Sequence, residues 1–174
     1  VYDAMKEQAT SAPILGLGYH QQDHWALHYE GAWEEVNDER AVLGSYRASK
    51  QAGDSVSFTF WGTDLDLVAV RDGDLGRLEV TLDGRQTTLD FSSEESEYQA
   101  RVPVAIGLAE GEHEVRLTVA ESPGGNSRVA IDGLIVRRSP TFYVRRSLVL
   151  LGCVPLAIGL FYALRRQWLS RGSV

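Results

Sequence analysis

The sequence predicts an all-β jelly-roll β-sandwich of about eight antiparallel strands, followed by a single C-terminal transmembrane α-helix. Two observations predict this class: apolar and polar residues alternate with a period of two between residues 25 and 138, and residues 147–164 carry no charge. Alternation places the apolar side chains of a strand on one face, which is typical of a sheet buried on one side. Two such sheets packed face to face form a sandwich.

The alternation is clearest in six segments of the chain. In residues 64–70, for example, Leu65 and Leu67 alternate with aspartates, so one face of the strand is apolar and the other is polar. The pair Asp83-Gly84 favours a two-residue type I′ hairpin turn, because both residues accept a positive φ. The predicted strands are residues 55–61, 64–70, 77–82, 102–106, 112–120 and 128–136, with weaker candidates at 25–30 and 42–47.

Charge is distributed unevenly along the 174 residues. Residues 1–144 contain all 24 acidic and 12 of the 17 basic residues, a net charge of −12, whereas the last 30 residues carry five arginines and no acid. An acidic body repels a phosphate backbone, which argues against nucleic acid as a partner. An acidic body joined to a basic, apolar tail is typical of membrane attachment. The one cysteine, Cys153, excludes an intramolecular disulfide.

The uncharged run at residues 147–164 has the length and the flanks of a transmembrane helix. At about 1.5 Å per residue it would span roughly 27 Å, close to the hydrocarbon thickness of a bilayer. Arginine pairs at residues 145–146 and 165–166 close the two ends. A buried helix of a soluble domain is the alternative. One stripe of the helix carries small residues on which a neighbouring helix could pack: Gly152, Gly159 and Ala163.

These patterns divide the chain into five segments. The expected segments are residues 1–24 as an N-terminal extension or linker, 25–138 as the jelly-roll sandwich, 139–146 as a juxtamembrane linker, 147–164 as the transmembrane helix and 165–174 as a short basic tail. Charge alone leaves the orientation open, because the arginines on the two sides of the helix nearly balance. Either the sandwich lies outside the cytoplasm, or the helix is a tail anchor and the sandwich is cytosolic.

Four stretches of the sandwich carry a resemblance to a known family. In order, they are GDSVSFTFWGTDLDLV, GRLEVTLDGR, VAIGLAEGEHEVRLTV and RVAIDGLIVRR. They resemble the galactose-binding-like jelly-roll superfamily, in particular the module found beside carbohydrate esterases and in many bacterial surface proteins. The resemblance covers about two thirds of the chain and implies the fold, since the matched residues are structural. Together with a sequence that starts at Val1 rather than Met, it also implies an extracytoplasmic sandwich and a cytoplasmic C-terminus.

No motif for catalysis or for a metal is predicted. His20, His24 and His28 recur every four residues, which on a helix would align three ligands on one face. The segment that contains His28 is predicted to be a strand, however, and strand geometry would separate the three rings. No G-x-S-x-G elbow or other nucleophile context accompanies the serines. We therefore expect a protein that is not an enzyme and that has no cofactor and no metal site.

A glycan site is implied by the resemblance. Modules of this superfamily often bind glycans through aromatic side chains in loops, where a flat ring stacks on the face of a pyranose. The candidates for such stacking here are Trp33, Tyr46 and Trp61, with Asp64 and Asp72 as acceptors for sugar hydroxyl groups.

The function predicted first is that of a non-catalytic, single-pass membrane-anchored accessory subunit. Its extracytoplasmic jelly roll would contact other subunits of a membrane complex, and its helix would lie in the lipid bilayer of the cell membrane. The predicted anchor, the short tail and the lack of a catalytic constellation favour this function. The alternative is a cell-surface carbohydrate-binding module, for which glycans are the partner.

Overall fold

A computed structural model describes residues 13–121 and 127–139 of the chain. Over these residues the protein is all-β, and none of the helical segments there is long and apolar enough to cross a membrane. The predicted transmembrane helix at 147–164, with Gly152, Gly159 and Ala163, lies outside the described residues, as do the tail 165–174 and the linker beyond Ser139. These segments remain predictions from the sequence.

The described residues form twelve strands and one 3₁₀ turn, which covers Val42–Gly44. The strands are β1 (Ile14–Leu15), β2 (Gly18–Gln21), β3 (His28–Glu30), β4 (Glu34–Asn37), β5 (Ser45–Ser49), β6 (Ser55–Gly62), β7 (Asp64–Arg71), β8 (Arg77–Leu82), β9 (Arg85–Asp90), β10 (Glu97–Ala105), β11 (Gly111–Val119) and β12 (Val129–Arg137).

The strands form two six-stranded sheets. Sheet A has the order β1-β6-β11-β8-β9, and β3 also pairs with β6. Sheet B has the order β10-β7-β12-β5-β4, and β2 also pairs with β12. Every described pair is antiparallel except β1 with β6, which is parallel. The predicted all-β sandwich is thus confirmed, with twelve strands in place of about eight.

The facing sides of the two sheets bury one apolar core. Phe58 and Phe60 of β6 are 6% and 0% exposed, and Val115 and Leu117 of β11 are 2% and 0% exposed. The inward faces predicted for residues 55–61, 77–82 and 112–120 are confirmed, because the alternate apolar residues of these strands are buried, with Leu82 half-buried. Burial of this apolar surface is the main driving force for the fold.

Strand β7 departs from the predicted alternation, because it is buried on both faces. Asp64 and Asp66, which the alternation places on the polar face, are 4% and 6% exposed. Each buried carboxylate has a partner: Asp64 accepts a hydrogen bond from the backbone N–H of Gly107 at 2.6 Å, and Asp66 pairs with Arg137 at 2.8 Å. These partners compensate for the loss of water around the two charges.

The expected boundary of the sandwich at residue 25 is wrong. Leu15 is completely buried, β1 pairs with β6, and β2 pairs with β12, so residues 14–21 belong to both sheets and are not an extension. The strand expected at 25–30 is also shorter, since only residues 28–30 are extended. Strands β1, β2 and β4 are not predicted because they are very short or carry mostly polar residues, and β9 is predicted only as the second arm of the Asp83-Gly84 hairpin.

Strand β2 lies closely against β12 at Gly133. A Cβ atom on Gly133 would be 2.5 Å from the Tyr19 hydroxyl oxygen and 2.7 Å from the His20 carbonyl oxygen. The Tyr19 hydroxyl also donates a hydrogen bond to the carbonyl oxygen of Asp132 at 3.2 Å. Glycine is therefore the residue that lets β2 join sheet B.

The hairpin between β8 and β9 is the predicted type I′ turn. Asp83 has φ 48° and Gly84 has φ 77°, so both central residues adopt the left-handed conformation. Asp83 also binds across the sheet: its carboxylate accepts the backbone N–H of Glu114 at 3.0 Å and contacts His113 Nδ1 at 2.6 Å. The turn is thus fixed by its own geometry and by β11.

His113 connects this hairpin to the turn before β11. Its Nε2 lies 2.8 Å from the carbonyl oxygen of Ala109, while Nδ1 faces Asp83. A carbonyl and a carboxylate can only accept, so both ring nitrogens donate and the imidazolium form is favoured. Burial alone would lower the pKa of His113, but the bonds to Asp83 and Ala109 raise it above its ordinary value. The bond from His113 lowers the pKa of Asp83 despite its burial.

Replacing Gly133 tests whether residues 14–21 belong to the sandwich. Gly133→Ala should lower the free energy of unfolding by about 1–3 kcal/mol, because the added methyl group overpacks the contact with Tyr19. Gly111→Ala is the matched control, since nothing lies within 4 Å of its added Cβ. Urea denaturation followed by fluorescence measures both variants. Equal losses of stability would contradict the close packing of β2 on β12.

The ion pair between Asp83 and His113 makes stability depend on pH in a defined window. The contribution of the His113 charge to the free energy of unfolding is complete below about pH 6.5, its pKa in the unfolded chain. This contribution is lost as the pH rises through the higher pKa that His113 has in the folded protein. The contribution of Asp83 is present above about pH 4 and is lost as the pH falls.

Asp83→Asn tests this window, because asparagine keeps the left-handed turn. Near pH 5.5 the free energy of unfolding of the variant should be on the order of 1 kcal/mol lower than that of wild type. The loss is smaller than for a fully buried ion pair because Asp83 is partly exposed. The difference between the variant and wild type should shrink at pH 9, where His113 is neutral. Thermal unfolding across this pH range provides the test, and a difference that does not vary with pH would exclude the ionic contribution.

Candidate functional site on the outer face of sheet A

The outer face of sheet A carries polar side chains in rows that cross the strands. The pairing of β6 with β11 sets Thr59 opposite Glu114 and Ser57 opposite Arg116. On the far side of β11, Arg116 lies opposite Thr81 of β8. Because paired residues share a face, these hydroxyl and charged groups lie side by side on the surface.

These rows form the floor of a groove with a volume of about 560 Å³. Residues 13 and 25–28 line it at the β6 edge, and Gly84 of the β8–β9 hairpin lines it on the opposite side. The volume is within the range typical of ligand pockets. Sheet A therefore presents a groove with polar side chains on its floor, between two loops.

Trp25 lies at the β6 edge of this groove and is 78% exposed. The turn between β2 and β3 holds it there. Ala26 and Leu27, the next two residues, are buried, and their backbone N–H groups donate to Nδ1 and the carbonyl oxygen of His24. The His24 ring stacks on the indole, with 5.7 Å between centroids and 26° between planes. A flat aromatic surface is thus held in solvent beside hydroxyl groups.

Arg116 is the cation at the floor of the groove, and Glu30 engages it. The guanidinium and the carboxylate are 2.5 Å apart, and the Ser55 hydroxyl also donates to Glu30. The hydrogen bond from Arg116, supported by its charge and by Ser55, lowers the pKa of Glu30. The His28 ring lies 3.9 Å from the other Glu30 oxygen. Both oxygens of Glu30 therefore face cationic or hydrogen-bonding neighbours.

Glu114 is different, because its carboxylate is not engaged. Within residues 13–121 and 127–139, no cation or hydroxyl group bonds to the Glu114 side chain, which is exposed. Its backbone N–H is held by Asp83, so the position of the residue on the sheet is fixed. Glu114 thus supplies a free hydrogen-bond acceptor to the groove.

A second cavity, of about 550 Å³, lies against β4 and β5 at the edge of sheet B. Its lining includes Glu34, Lys50 and Arg128 but no aromatic side chain. It lacks a flat apolar surface for a ring-shaped ligand. The groove on sheet A is therefore the better candidate site.

The structure places the five glycan-site candidates from the sequence at separate positions. Tyr46 is 4% exposed and lies in the core, so its ring is not a surface for stacking. Asp64 is buried and holds Gly107, as described above. Asp72 connects the loop after β7 to the loop before β10, since its side chain accepts the Ser96 hydroxyl at 2.6 Å and its pKa is lowered mainly by that bond.

The two tryptophans of that set differ from each other. Trp33 is half-buried and packs edge-on against Tyr29 at 5.2 Å, while its indole N–H donates to the Glu30 carbonyl. Trp61 is 43% exposed at the end of β6, opposite Glu112. It shares the outer face of sheet A with Thr59 but does not line the groove.

The three histidines at four-residue spacing do not form one cluster. His20 and His24 meet edge-on with 5.0 Å between centroids, and His20 Nε2 bonds to the Gly16 carbonyl oxygen. Burial, followed by the charge of His20, lowers the pKa of His24. His28 lies apart on β3 at the groove. Among the residues that the structure describes, no group of three or more ligand side chains could hold a metal ion.

None of the groove residues, Trp25 and Glu114 included, is among the five glycan-site candidates that the sequence predicts. The sequence predicts a strand at residues 25–30, and this prediction conceals the exposed turn that holds Trp25. Glu114 and the floor residues have the pattern of ordinary polar residues in alternating strands. The signal that could have found them is the pairing of residues 55–61 with 112–120, whose apolar faces match and whose polar faces then combine.

Comparisons with known proteins locate the chain by fold. No protein-family model matches it, and no curated protein matches it. Solved structures do match. A family two carbohydrate esterase from Cellvibrio japonicus superposes with a TM-score of 0.51 at 15% identity, over 68% of this chain and 32% of the esterase.

Two further solved structures are similar. An exo-β-1,3-galactanase from Phanerochaete chrysosporium, solved with galactose, has a TM-score of 0.51 at 18% identity, over 74% of this chain and 31% of that one. Paenibacillus xanthan lyase has a TM-score of 0.56 at 15% identity, over 74% of this chain and 14% of the lyase chain. The likeness spans a third or less of each protein. At these identities it shows the fold alone, a jelly-roll β-sandwich.

Proposed function

We propose that the chain is a non-catalytic carbohydrate-binding module whose groove on sheet A holds a glycan. The observation that carries this proposal is the exposed indole of Trp25, held beside a floor of hydroxyl and charged side chains. A pyranose has an apolar face and a rim of hydroxyl groups. The groove offers a partner for each of them.

The chemistry of the groove matches a sugar ring group by group. The Trp25 indole can stack on the apolar face, as aromatic rings do with flat partners. The Ser57, Thr59 and Thr81 hydroxyls donate and accept, and the free Glu114 carboxylate accepts from sugar hydroxyls. The similar solved structures add support, since they are carbohydrate esterase, galactanase and lyase chains of which the match covers only a part.

The groove lacks the features of an activated nucleophile. Ser57 and His28 lie opposite each other on β6 and β3, but no hydrogen bond joins their side chains among the described residues. A catalytic serine needs a base within hydrogen-bond reach that a third group orients. Glu30, the acid nearest His28, is engaged by Arg116 instead. Binding without catalysis is the function that this arrangement favours.

A second candidate function is that of a membrane-anchored accessory subunit with an extracytoplasmic sandwich. The uncharged run at 147–164 favours an anchor, and an exposed apolar surface at one end of the sandwich favours a protein partner. This end patch consists of Leu17, Trp61 and Ile106, which are 52%, 43% and 71% exposed. Grouped exposed apolar side chains often mark an interaction surface.

The three residues of the end patch lie near the connection between β6 and β7. Leu17 lies 3.7 Å from the Cβ position of Gly62, the residue after Trp61. The loop after Ile106 is tied to the same connection, because the Leu108 N–H donates to the Thr63 carbonyl oxygen at 2.9 Å. The end patch is separate from the groove, so one chain could both bind a glycan and contact a neighbouring subunit.

Replacing Trp25 tests whether its indole is the surface on which a sugar stacks. Trp25→Ala should weaken glycan binding at least about tenfold, or roughly 1.4 kcal/mol, because the stacking surface is lost. Trp61→Ala is the matched control: it removes an exposed tryptophan from the same sheet outside the groove and should leave the affinity unchanged. Calorimetric titration with neutral oligosaccharides such as cellohexaose and mannopentaose measures both. Equal affinities of Trp25→Ala and wild type would reject the groove, and esterase activity in wild type would reject the non-catalytic assignment.

Replacing residues of the end patch tests whether it contacts a neighbouring subunit. If the sandwich is an accessory subunit, wild type should migrate as part of a larger complex after extraction in mild detergent. Leu17→Ser combined with Ile106→Ser should shift it to its monomeric size, because two exposed apolar contacts are removed. Glycan affinity should not change, since neither residue lines the groove. Gly159→Leu tests the predicted helix contact separately. Migration of wild type as a monomer would argue against this function.

A further inference from the structure

We infer that the groove selects glycans by charge: it binds amine-bearing sugars, such as polymers of 2-amino-2-deoxyhexose, more tightly than neutral sugars, and it excludes uronate-bearing glycans. The inference deepens the proposed function and rests on it. It is based on the ion pairs of this face of sheet A, where the arginine at the groove floor is paired with a carboxylate and other carboxylates have no cationic partner.

The cation at the groove floor is already paired. Arg116 contacts Glu30 at 2.5 Å, and Glu30 is also bonded by Ser55. A uronate is usually recognised by a guanidinium with free N–H groups, often through two parallel hydrogen bonds. To provide these, Arg116 would have to leave Glu30, and the Glu30 carboxylate would then lie without its partner beside the uronate. Among the described residues that line the groove, no arginine or lysine is therefore free for an acidic sugar.

The acids on the same face are free. Glu114 lines the groove, and Glu112 and Glu79 lie on the same outer face, opposite Trp61 and Thr118. Within the described ranges, no ion pair engages any of these three carboxylates. The unpaired charge that faces a ligand is consequently negative.

The other cations near this face do not reverse that sign. Arg77 pairs with Asp90 at 2.9 Å at the far edge of the sheet. Arg85 lies opposite Leu82, on the alternate side of the hairpin from the groove floor. His28 lies 3.9 Å from Glu30. An ammonium group in the groove would therefore meet Glu114 as an unshared counter-charge, and a carboxylate would be repelled by it.

Salt should modulate this selection. The carboxylates are exposed, so their field is screened over about 8 Å at physiological ionic strength. An ammonium in direct contact with Glu114 keeps much of its attraction, whereas the contributions of Glu79 and Glu112 decline as salt is added. The preference for amine-bearing sugars should thus be largest at low salt and should fall as salt rises.

Three hexasaccharides with the same β-1,4 backbone test the inference. They are the glucosamine hexamer, cellohexaose and the glucuronic acid hexamer, titrated into the full chain in zwitterionic nanodiscs at about pH 5.5. Specific binding is defined as the binding to wild type that Trp25→Ala abolishes. This definition excludes non-specific attraction between the sugar and the rest of the protein surface. At low salt the glucosamine hexamer should bind roughly tenfold more tightly than cellohexaose, a difference of about 1.4 kcal/mol. The glucuronic acid hexamer should show no specific binding.

Glu114→Gln isolates the charge from the hydrogen bond, because glutamine keeps an acceptor of the same size. Its affinity for the glucosamine hexamer should fall to within about twofold of its affinity for cellohexaose. Glu79→Gln is the control, with a charge removed from the same face outside the groove lining, and should retain most of the preference. Glu114 is exposed, so the variant should fold, and its unfolding temperature verifies this.

The outcomes separate the inference from the function on which it rests. Specific binding of cellohexaose at an affinity equal to or above that of the glucosamine hexamer would overturn the charge selection and leave a glycan-binding groove. Specific binding of the glucuronic acid hexamer would overturn it as well. Absence of specific binding for all three sugars would overturn both the selection and the proposed function.

Discussion

The register between β6 and β11 determines both the core face and the outer face of sheet A. Eight residue pairs join the two strands, and they place Phe58 and Phe60 on the core side. Side chains alternate with a period of two, so a slip of one residue would expose both phenylalanines and bury Thr59 against the core. The apolar face thus specifies the register strongly. The composition of the outer face then follows, because the same register brings Thr59 beside Glu114.

The candidate site is a consequence of this register and of two loops anchored at the sheet edges. The floor residues lie on rigid strands, whereas Trp25 depends on a turn pinned by the burial of Ala26 and Leu27. On the other side, the β8–β9 hairpin is held by its left-handed turn residues and by the Asp83–His113 pair. A groove with a fixed floor and fixed rims is preorganised, so ligand binding does not have to order the site first. The end patch uses a different part of the fold, the short connection after Gly62.

The sequence predicted the fold much better than the site, for physical reasons. Alternation reveals which face of a strand is apolar and therefore predicts β6, β8 and β11, while the positive φ that Asp83 and Gly84 accept predicts the hairpin. It does not reveal how deeply a residue is buried, so it cannot show that Asp64 on the doubly covered β7 and Tyr46 in the core are inaccessible to a glycan. Strand β2 was missed because four polar or glycine residues acquire strand structure only by pairing with β12. Trp25 was missed because its exposure depends on a turn whose anchors become visible only when the core is assembled.

Occupation of the groove on sheet A by a glycan can be tested by mapping the residues that respond to binding. Isotope-labelled protein titrated with the glucosamine hexamer, or with cellohexaose, would report these residues through its NMR chemical shifts. We expect the indole N–H of Trp25 and the amides of Ser57, Thr59 and Glu114 to shift together, with one dissociation constant. Shifts confined to the cavity at β4 and β5, around Val36 and Ala48, with those four residues unmoved, would contradict it.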